Sequence, residues 1–455
     1  MSFAFTLFVS AFFLFQVQPI IARYILPWYG GSPAVWSTCM LFFQVGLLAG
    51  YIYAHLLARY LRLRRQVILH LLLLAVSLFL LPVTPDVVLK PTGDDEPIWG
   101  IIRLLLFTVG GPYVLISSTG PLLQHWYRLK YVNSSPYRLY ALSNLGSLLG
   151  LMSYPFLIEP NMVLGTQAVF WSCGYLAFTA ASFWSALTLL WAKDAVHAEF
   201  VPEETELASL AKPGTNHALL WMGLSACGAV MFLAVTSKIT QDISVIPFLW
   251  VLPLSLYLCT LIIAFDSPKW YRRRVWLPAF LFSCGLLTYL LYPSTDLHIL
   301  ATVSLYSLAL FCIIMVCHGE LARSKPPARH LTFFYLMTSL GGALGGTFVS
   351  FVATRIFPAY WEVQVGIGTS LILVGYALFQ LHGKKAGSWH VLARWAWPFY
   401  SCTIIALLLV AMVDAEQEAL TTRRNFYGVL RVYEDDKGEE SHRRKLYNGQ
   451  VNHGL

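Results

Sequence analysis

Apolar runs of about 18 residues or more recur along almost the whole sequence, each separated from the next by a short polar or charged connection. A run of that length, wound as a helix, crosses about 30 Å of hydrocarbon. The pattern predicts spanning helices over 3–26, 34–57, 66–83, 99–123, 139–157 and 164–191. After a polar stretch it predicts seven more, over 218–237, 245–265, 276–292, 297–316, 331–357, 361–381 and 395–413. Glu199, Glu203, Glu204 and Glu206 stand in that stretch with few large apolar residues, which marks a solvated linker. Residues 1–15 lack a basic leader and a small-residue cleavage site, and read as the first span, not a removed signal. Beyond Val413 the pattern changes: 424–433 reads as a strand, 435–438 as a turn, and 444–453 as an extended piece with a tight-turn signal at Asn448-Gly449. The expected fold is an all-α polytopic membrane protein with a short β tail. Its divisions are 1–191 and 218–381 as six-helix halves, 192–217 as linker, 382–414 as an additional helix with its preceding loop, and 415–455 as the start of a β module.

Composition agrees, since 57% of residues are hydrophobic and 12% charged, about half the charged share of a soluble domain. The formal charge of +8 does not point to nucleic acid, because the basic residues fall in short clusters between spans. They occupy alternate connections: Arg59, Arg62, Arg64 and Arg65; Arg128, Lys130 and Arg138; Lys269 and Arg272 to Arg274; Arg323, Lys325 and Arg329; Lys384, Lys385 and Arg394. One opposite connection is acidic, with Asp86, Asp94, Asp95 and Glu96. The positive-inside rule then places the amino terminus and the basic loops on the cytoplasmic side of a plasma membrane, and thirteen spans place the tail on the other side. The eight cysteines lie in apolar segments without paired or metal-ligand spacing and read as packing residues. There is no phosphate loop, zinc spacing or nucleophile with its base, so neither a metal nor any other cofactor is expected.

A repeat relates the two halves. Residues 139–150 align without gaps to 334–345, so that Tyr140, Leu145, Gly146, Leu149 and Gly150 recur as Tyr335, Leu340, Gly341, Leu344 and Gly345. Each element is the fifth helix of its half and follows a basic loop, so the two run parallel. Parallel six-helix repeats are the architecture of the major facilitator superfamily, with a substrate path between the halves. Gly146 with Gly150, Gly341 with Gly345, and Gly342 with Gly346 place small residues on one helical face, where another helix packs closely.

Charges and amides inside apolar spans are the candidate path residues, because burying them unpartnered is costly. They are Arg23, Gln18, Gln44, Lys238, Gln241 and Asp242. Arg23 and Asp242 reach similar depths when Phe13-Leu14 is laid on Phe232-Leu233. The plainer reading is a snorkelling Arg23 and a local Lys238–Asp242 pair one turn apart. Gln16 reads as a helix-joining amide. His318 and Glu320 end the tenth apolar run and Glu159 the fifth, which favours interfacial roles. Gly110-Gly111-Pro112 reads as a kink within the fourth span.

Three stretches carry a likeness to a known family: Gln18-Pro-Ile-Ile-Ala-Arg23 through Gly30-Gly-Ser-Pro-Ala-Val-Trp36 and Phe43-Gln44; Gln241-Asp242 through Pro247-Phe-Leu-Trp-Val-Leu-Pro253; and Phe334-Tyr335 through Gly346. The sequence resembles the bacterial fused major-facilitator and spermidine-synthase membrane proteins. Arg424-Asn-Phe-Tyr-Gly-Val-Leu430 looks like that family's passage into its synthase-like domain, and Leu446-Tyr-Asn-Gly449 is similar to the first strand module of spermidine synthases, with Asn452 where many have Gln. The resemblance implies a following nucleotide-type domain that does not appear before Leu455, so aminopropyl transfer is not expected of this chain alone. It leaves two functional readings. One is a transporter-like domain that moves or binds polyamines or related small cations; the other is a non-transporting anchor or scaffold for a synthase-like domain. The implied partners are the lipid bilayer, a small cationic solute, and a synthase-like domain or a second copy of the chain.

Overall fold

The computed structural model describes residues 2–91, 96–131, 137–191, 214–241, 247–292, 297–327, 330–380, 389–417, 419–435, 443–448 and 451–454. Its helices are α1 (Ser2–Tyr29), α2 (Pro33–Tyr60), α3 (Leu63–Ser77), α4 (Pro97–Lys130), α5 (Leu139–Asn161), α6 (Leu164–Leu190), α7 (Thr215–Gln241), α8 (Pro247–Asp266), α9 (Arg273–Leu290), α10 (Ile299–Arg323), α11 (Leu331–Ile356), α12 (Glu362–Gln380) and α13 (Trp389–Gln417). Each expected span is thus a helix. Among the described residues twelve helices are long and apolar enough to cross a bilayer; the exception among the thirteen, α9, opens on Arg273 and Arg274 and contains Pro278. Proline stands in the first turn of α2 and of α4, where its missing N–H costs nothing. The expected kink at Gly110-Gly111-Pro112 is a π-turn over Leu106–Gly110, because Pro112 offers no amide to continue the helical ladder.

The two halves are built alike. α5 packs on α1, and α11 packs on α7. A Cβ at Gly146 or Gly150 would lie 2.6 or 2.2 Å from the carbonyl oxygens of Phe8 and Phe12. At Gly341 or Gly345 it would lie 2.2 or 2.5 Å from those of Met222 and Ala226. Both repeat helices relax into a π-turn near their far ends, Tyr154–Ile158 and Phe348–Val352. The shared packing sets Phe8 opposite Met222 and Phe12 opposite Ala226, which lays Arg23 against Ser237. The alignment of Phe13-Leu14 on Phe232-Leu233, and with it the matching of Arg23 to Asp242, is therefore not the register of the fold. Apolar sequence carries little register information; the glycine contacts set it. The halves meet along α2 with α11 and α5 with α8.

α13 stands outside this symmetry, docked on the second half. Trp397 Nε1 donates to the Leu371 carbonyl at 3.1 Å, its ring stacks on Phe280 at 6.0 Å, and Tyr400 donates to the Leu281 carbonyl at 2.5 Å.

The tail is a four-stranded antiparallel meander, β1 (Thr421–Arg424), β2 (Val429–Asp435), β3 (Arg443–Asn448) and β4 (Val451–Gly454). The continuous strand expected over 424–433 is broken by a turn. Asn425 Oδ1 accepts from the amides of Tyr427 at 2.9 Å and Gly428 at 3.1 Å, and its own amide donates to the Gly428 carbonyl. An aromatic-rich run looked extended, and the Asx turn at its start was stronger. The tail touches the α11–α12 connection, at the opposite end of the bundle from the basic connections (hereafter the tail face and the basic face). The linker over 192–213, Asp242 and the side chain of Gln241 lie outside the described residues.

Candidate functional site

Between the halves lies a cavity of about 170 Å³. α1 contributes Leu14, Phe15 and Gln18; α2 contributes Met40, Phe43, Gln44, Leu47 and Tyr51; and α4 contributes Tyr113, Gly120 and Gln124. α5 brings Tyr140, Ser143, Asn144 and Ser147, and its counterpart α11 brings Thr338, Ser339 and Gly342. In the repeat alignment Ser143, Asn144 and Ser147 correspond to Thr338, Ser339 and Gly342, so one duplicated motif furnishes both walls. Ser225 and Phe232 of α7, four residues of α8 including Tyr257, and His318 and Leu321 of α10 complete the lining. Among the described residues no Asp, Glu, Lys or Arg lines it.

Four lining residues carry a buried polar atom with no hydrogen-bond partner within 3.5 Å among the described residues: Gln44 Oε1, Asn144 Nδ2, His318 Nε2 and Ser339 Oγ. An unmade hydrogen bond of this kind costs about 1–3 kcal/mol, so a polar occupant of the cavity is favoured. His318 is held in one orientation. Thr260 Oγ1 lies 2.7 Å from the Tyr257 carbonyl and 2.8 Å from His318 Nδ1, a bond that orients the imidazole and engages Nδ1. The Tyr257 ring packs against the imidazole edge to face at 4.7 Å. The site thus offers an amide donor, an amide acceptor, an imidazole nitrogen, a hydroxyl and four tyrosine rings, with no carboxylate, ammonium or guanidinium among the described residues.

Contacts between the halves bound the cavity toward each face. On the basic side the repeat-related Tyr140 and Tyr335 stack at 5.1 Å, Tyr335 donates to Gln124 Oε1 at 2.8 Å, and His55 bonds Thr332 at 3.0 Å. On the tail side Trp36 stacks on Trp250 at 4.9 Å, Ser350 donates to the Ser37 carbonyl at 2.9 Å, and Arg355 pairs with Glu96 at 2.5 Å.

The sequence-derived candidates divide accordingly. Gln18 and Gln44 line the cavity. Arg23 does not; it is half-exposed and paired with Glu159, so the two terminal charges hold α1 to the end of α5. Lys238 is half-buried on α7, away from the lining. Gln16 joins α1 to α5 through Ser153 at 3.1 Å. His318 and Glu320 are 1% and 0% exposed, so protein rather than solvent surrounds both: His318 stands in the cavity lining, and Glu320 lies in the last turn of α10. α10 runs on to Arg323, and the α8–α9 connection folds over its end. There Glu320 Oε1 accepts from Tyr271 at 2.8 Å and Arg273 Nε at 2.7 Å, and Oε2 from Arg273 Nη2 at 2.5 Å. Burial, with the Glu320 carboxylate beside it, raises the Tyr271 phenol above its ordinary pKa. A phenol so raised adds stability that is complete below about pH 10 and lost as pH rises beyond it. Thermal melts of wild type should therefore fall more steeply above pH 10 than those of Tyr271→Phe.

No protein-family model matches the sequence, and neither does any curated protein. Solved structures do match. A double-tryptophan mutant of XylE superposes with a TM-score of 0.52 at 10% identity, over 89% of this chain and 97% of that one. The major facilitator superfamily proton:xylose symporter XylE bound to 6-bromo-6-deoxy-D-glucose gives 0.52 at 10% identity, over 84% and 94%. The fold is thus that of the major facilitator superfamily, in a multi-pass membrane protein.

Proposed function

We propose that the chain is a carrier of a small, uncharged, hydrogen-bonding solute, which binds between the halves and is exposed alternately at the two faces. The observation that carries this reading is the set of unpartnered polar atoms around the cavity, two of them on the repeat-related residues Asn144 and Ser339. A solute bearing several hydroxyl or amide groups meets donors and acceptors together, and its ring or carbon skeleton meets Tyr51, Tyr113, Tyr140 and Tyr257. The proton:xylose symporter of the same fold is bound to a ligand of this class, a deoxyglucose.

The polyamine reading has less support. A polyamine carries several positive charges into a low-dielectric site, and that requires carboxylates, which the described lining lacks. Tyrosine faces attract cations by about 0.5–2 kcal/mol each, which falls short of replacing a counter-ion. The scaffold reading predicts no binding event.

Purified protein in proteoliposomes, offered radiolabelled pentoses, hexoses, polyols and spermidine, separates these outcomes. The expected result is saturable uptake of a neutral solute and none of spermidine. Asn144→Ala should weaken binding about tenfold, the loss of one or two uncharged hydrogen bonds, with the melting temperature held. Saturable spermidine uptake, or no binding of any solute, overturns the proposal.

A further inference from the structure

The tail sheet meets the membrane helices through Arg424, the last residue of β1, and the turn that follows it. Arg424 is unusually placed for a residue on an exposed sheet. Its side chain is 4% exposed and that of its partner Glu362 is 2% exposed. Arg424 Nη2 donates to Glu362 Oε1 at 2.5 Å, Nη1 donates to the Ala359 carbonyl at 2.8 Å, and the guanidinium lies 4.4 Å over the Tyr360 ring. A buried ion pair adds little net stability over apolar side chains of the same volume, and its best-attested use is to fix one arrangement among several.

What it fixes is the position of the turn. Asn425 and Phe426 sit in a recess with Pro33, Ala34 and Ser37 of α2 and with Ser237 of α7 and Val349, Ser350 and Thr354 of α11. Phe426 packs on the main core. α2 belongs to the first half, and α7 and α11 to the second, so the turn borders a recess walled by both halves, and the same recess includes Ser37 and Ser350, whose hydrogen bond joins the halves.

We propose that the Arg424–Phe426 turn is a latch. Seated, it holds the two halves together at the tail face; the cavity opens to that face only when Arg424 leaves Glu362 and the turn lifts. This rests on the carrier reading for its purpose, though its test does not use transport. With Arg424 held on Glu362, the turn closes the recess beside the Ser37–Ser350 contact, and parting the halves there requires it to move. The tail therefore serves as a mechanical input to the membrane domain, and a force or binding event on the sheet is transmitted to the mouth of the cavity.

The test places single cysteines at Ser37 on the tail face and at Thr332 on the basic face of the full chain. The exposed native Cys173 and Cys402 are replaced by alanine. Alkylation by a soluble maleimide is timed with and without Arg424→Gln, and again with Glu362→Gln. Release of the latch predicts labelling at Ser37 about tenfold faster in either variant, with slower labelling at Thr332, as one population moves toward the tail-open state. Faster labelling at both positions means loosened packing, and unchanged labelling at Ser37 means a passive tether; either result overturns the latch. Absent solute binding by the parent protein sinks the carrier reading alone, since the labelling contrast does not depend on it.

Discussion

Arg273→Met is expected to destabilise the protein by about 3–5 kcal/mol, the cost of leaving a buried carboxylate without its partner. Glu320 is wholly buried, and its two oxygens rely on Arg273 and Tyr271 for the donors that replace water. Arg273 is the first residue of α9 and Glu320 lies in the last turn of α10, so the pair also joins these helices at the basic face. The double variant Arg273→Met, Glu320→Leu removes both charges together and should regain most of the loss, because apolar groups of similar volume need no donors. Thermal melting in detergent, followed by tryptophan fluorescence, compares the three proteins. If the double variant melts as low as the single one, the loss comes from packing and the ion-pair explanation fails.

Gly150→Ala and Gly341→Ala should each cost at least about 1–3 kcal/mol, the penalty of overpacking a tight interface. In both places the new Cβ would stand 2.2 Å from a backbone carbonyl oxygen, of Phe12 or of Met222, and a backbone cannot swing aside as a flexible side chain does. Relief requires parting α1 from α5, or α7 from α11. Gly165→Ala supplies the contrast, since nothing lies within 4 Å of its Cβ position near the start of α6. There the helical preference of alanine should stabilise by up to about 1 kcal/mol. Equal effects at Gly150 and Gly165 would show that the helix pairs are not as close as the fold requires.

Much of this architecture was readable from the chain. Apolar runs located every long helix, and the 139–150 and 334–345 repeat identified the helices that later proved to pack alike, at Gly146 and Gly150 and at Gly341 and Gly345. The same motif held more than packing: Tyr140 and Tyr335 stack across the halves, and Asn144 and Ser339 face one cavity. A repeat read along one helix does not show that its two copies come together around an axis, and so their polar positions were passed over in favour of charges. Arg23 and Glu159 neutralise each other at the edge, while the uncharged Asn144 and His318 line the interior. The burial of His318 and Glu320 is not legible in the sequence, because an apolar run shows where hydrocarbon-like sequence stops, not what folds over its end. The spermidine-synthase likeness rests on motifs that the fold comparison does not address, and the polar character of the cavity leads away from a cationic solute.

The proposed rocking of the two halves about a bound solute is tested by distances across each face. Paired spin labels at His55 and Thr332 report the basic face, and a second pair at Ala34 and Thr354 reports the tail face. Distance distributions are recorded in the same detergent with and without the neutral solute that uptake identifies. The account predicts that solute changes the two separations in opposite senses, one lengthening as the other shortens. If both separations stay fixed, or both lengthen together, the halves do not alternate and the chain is not a carrier.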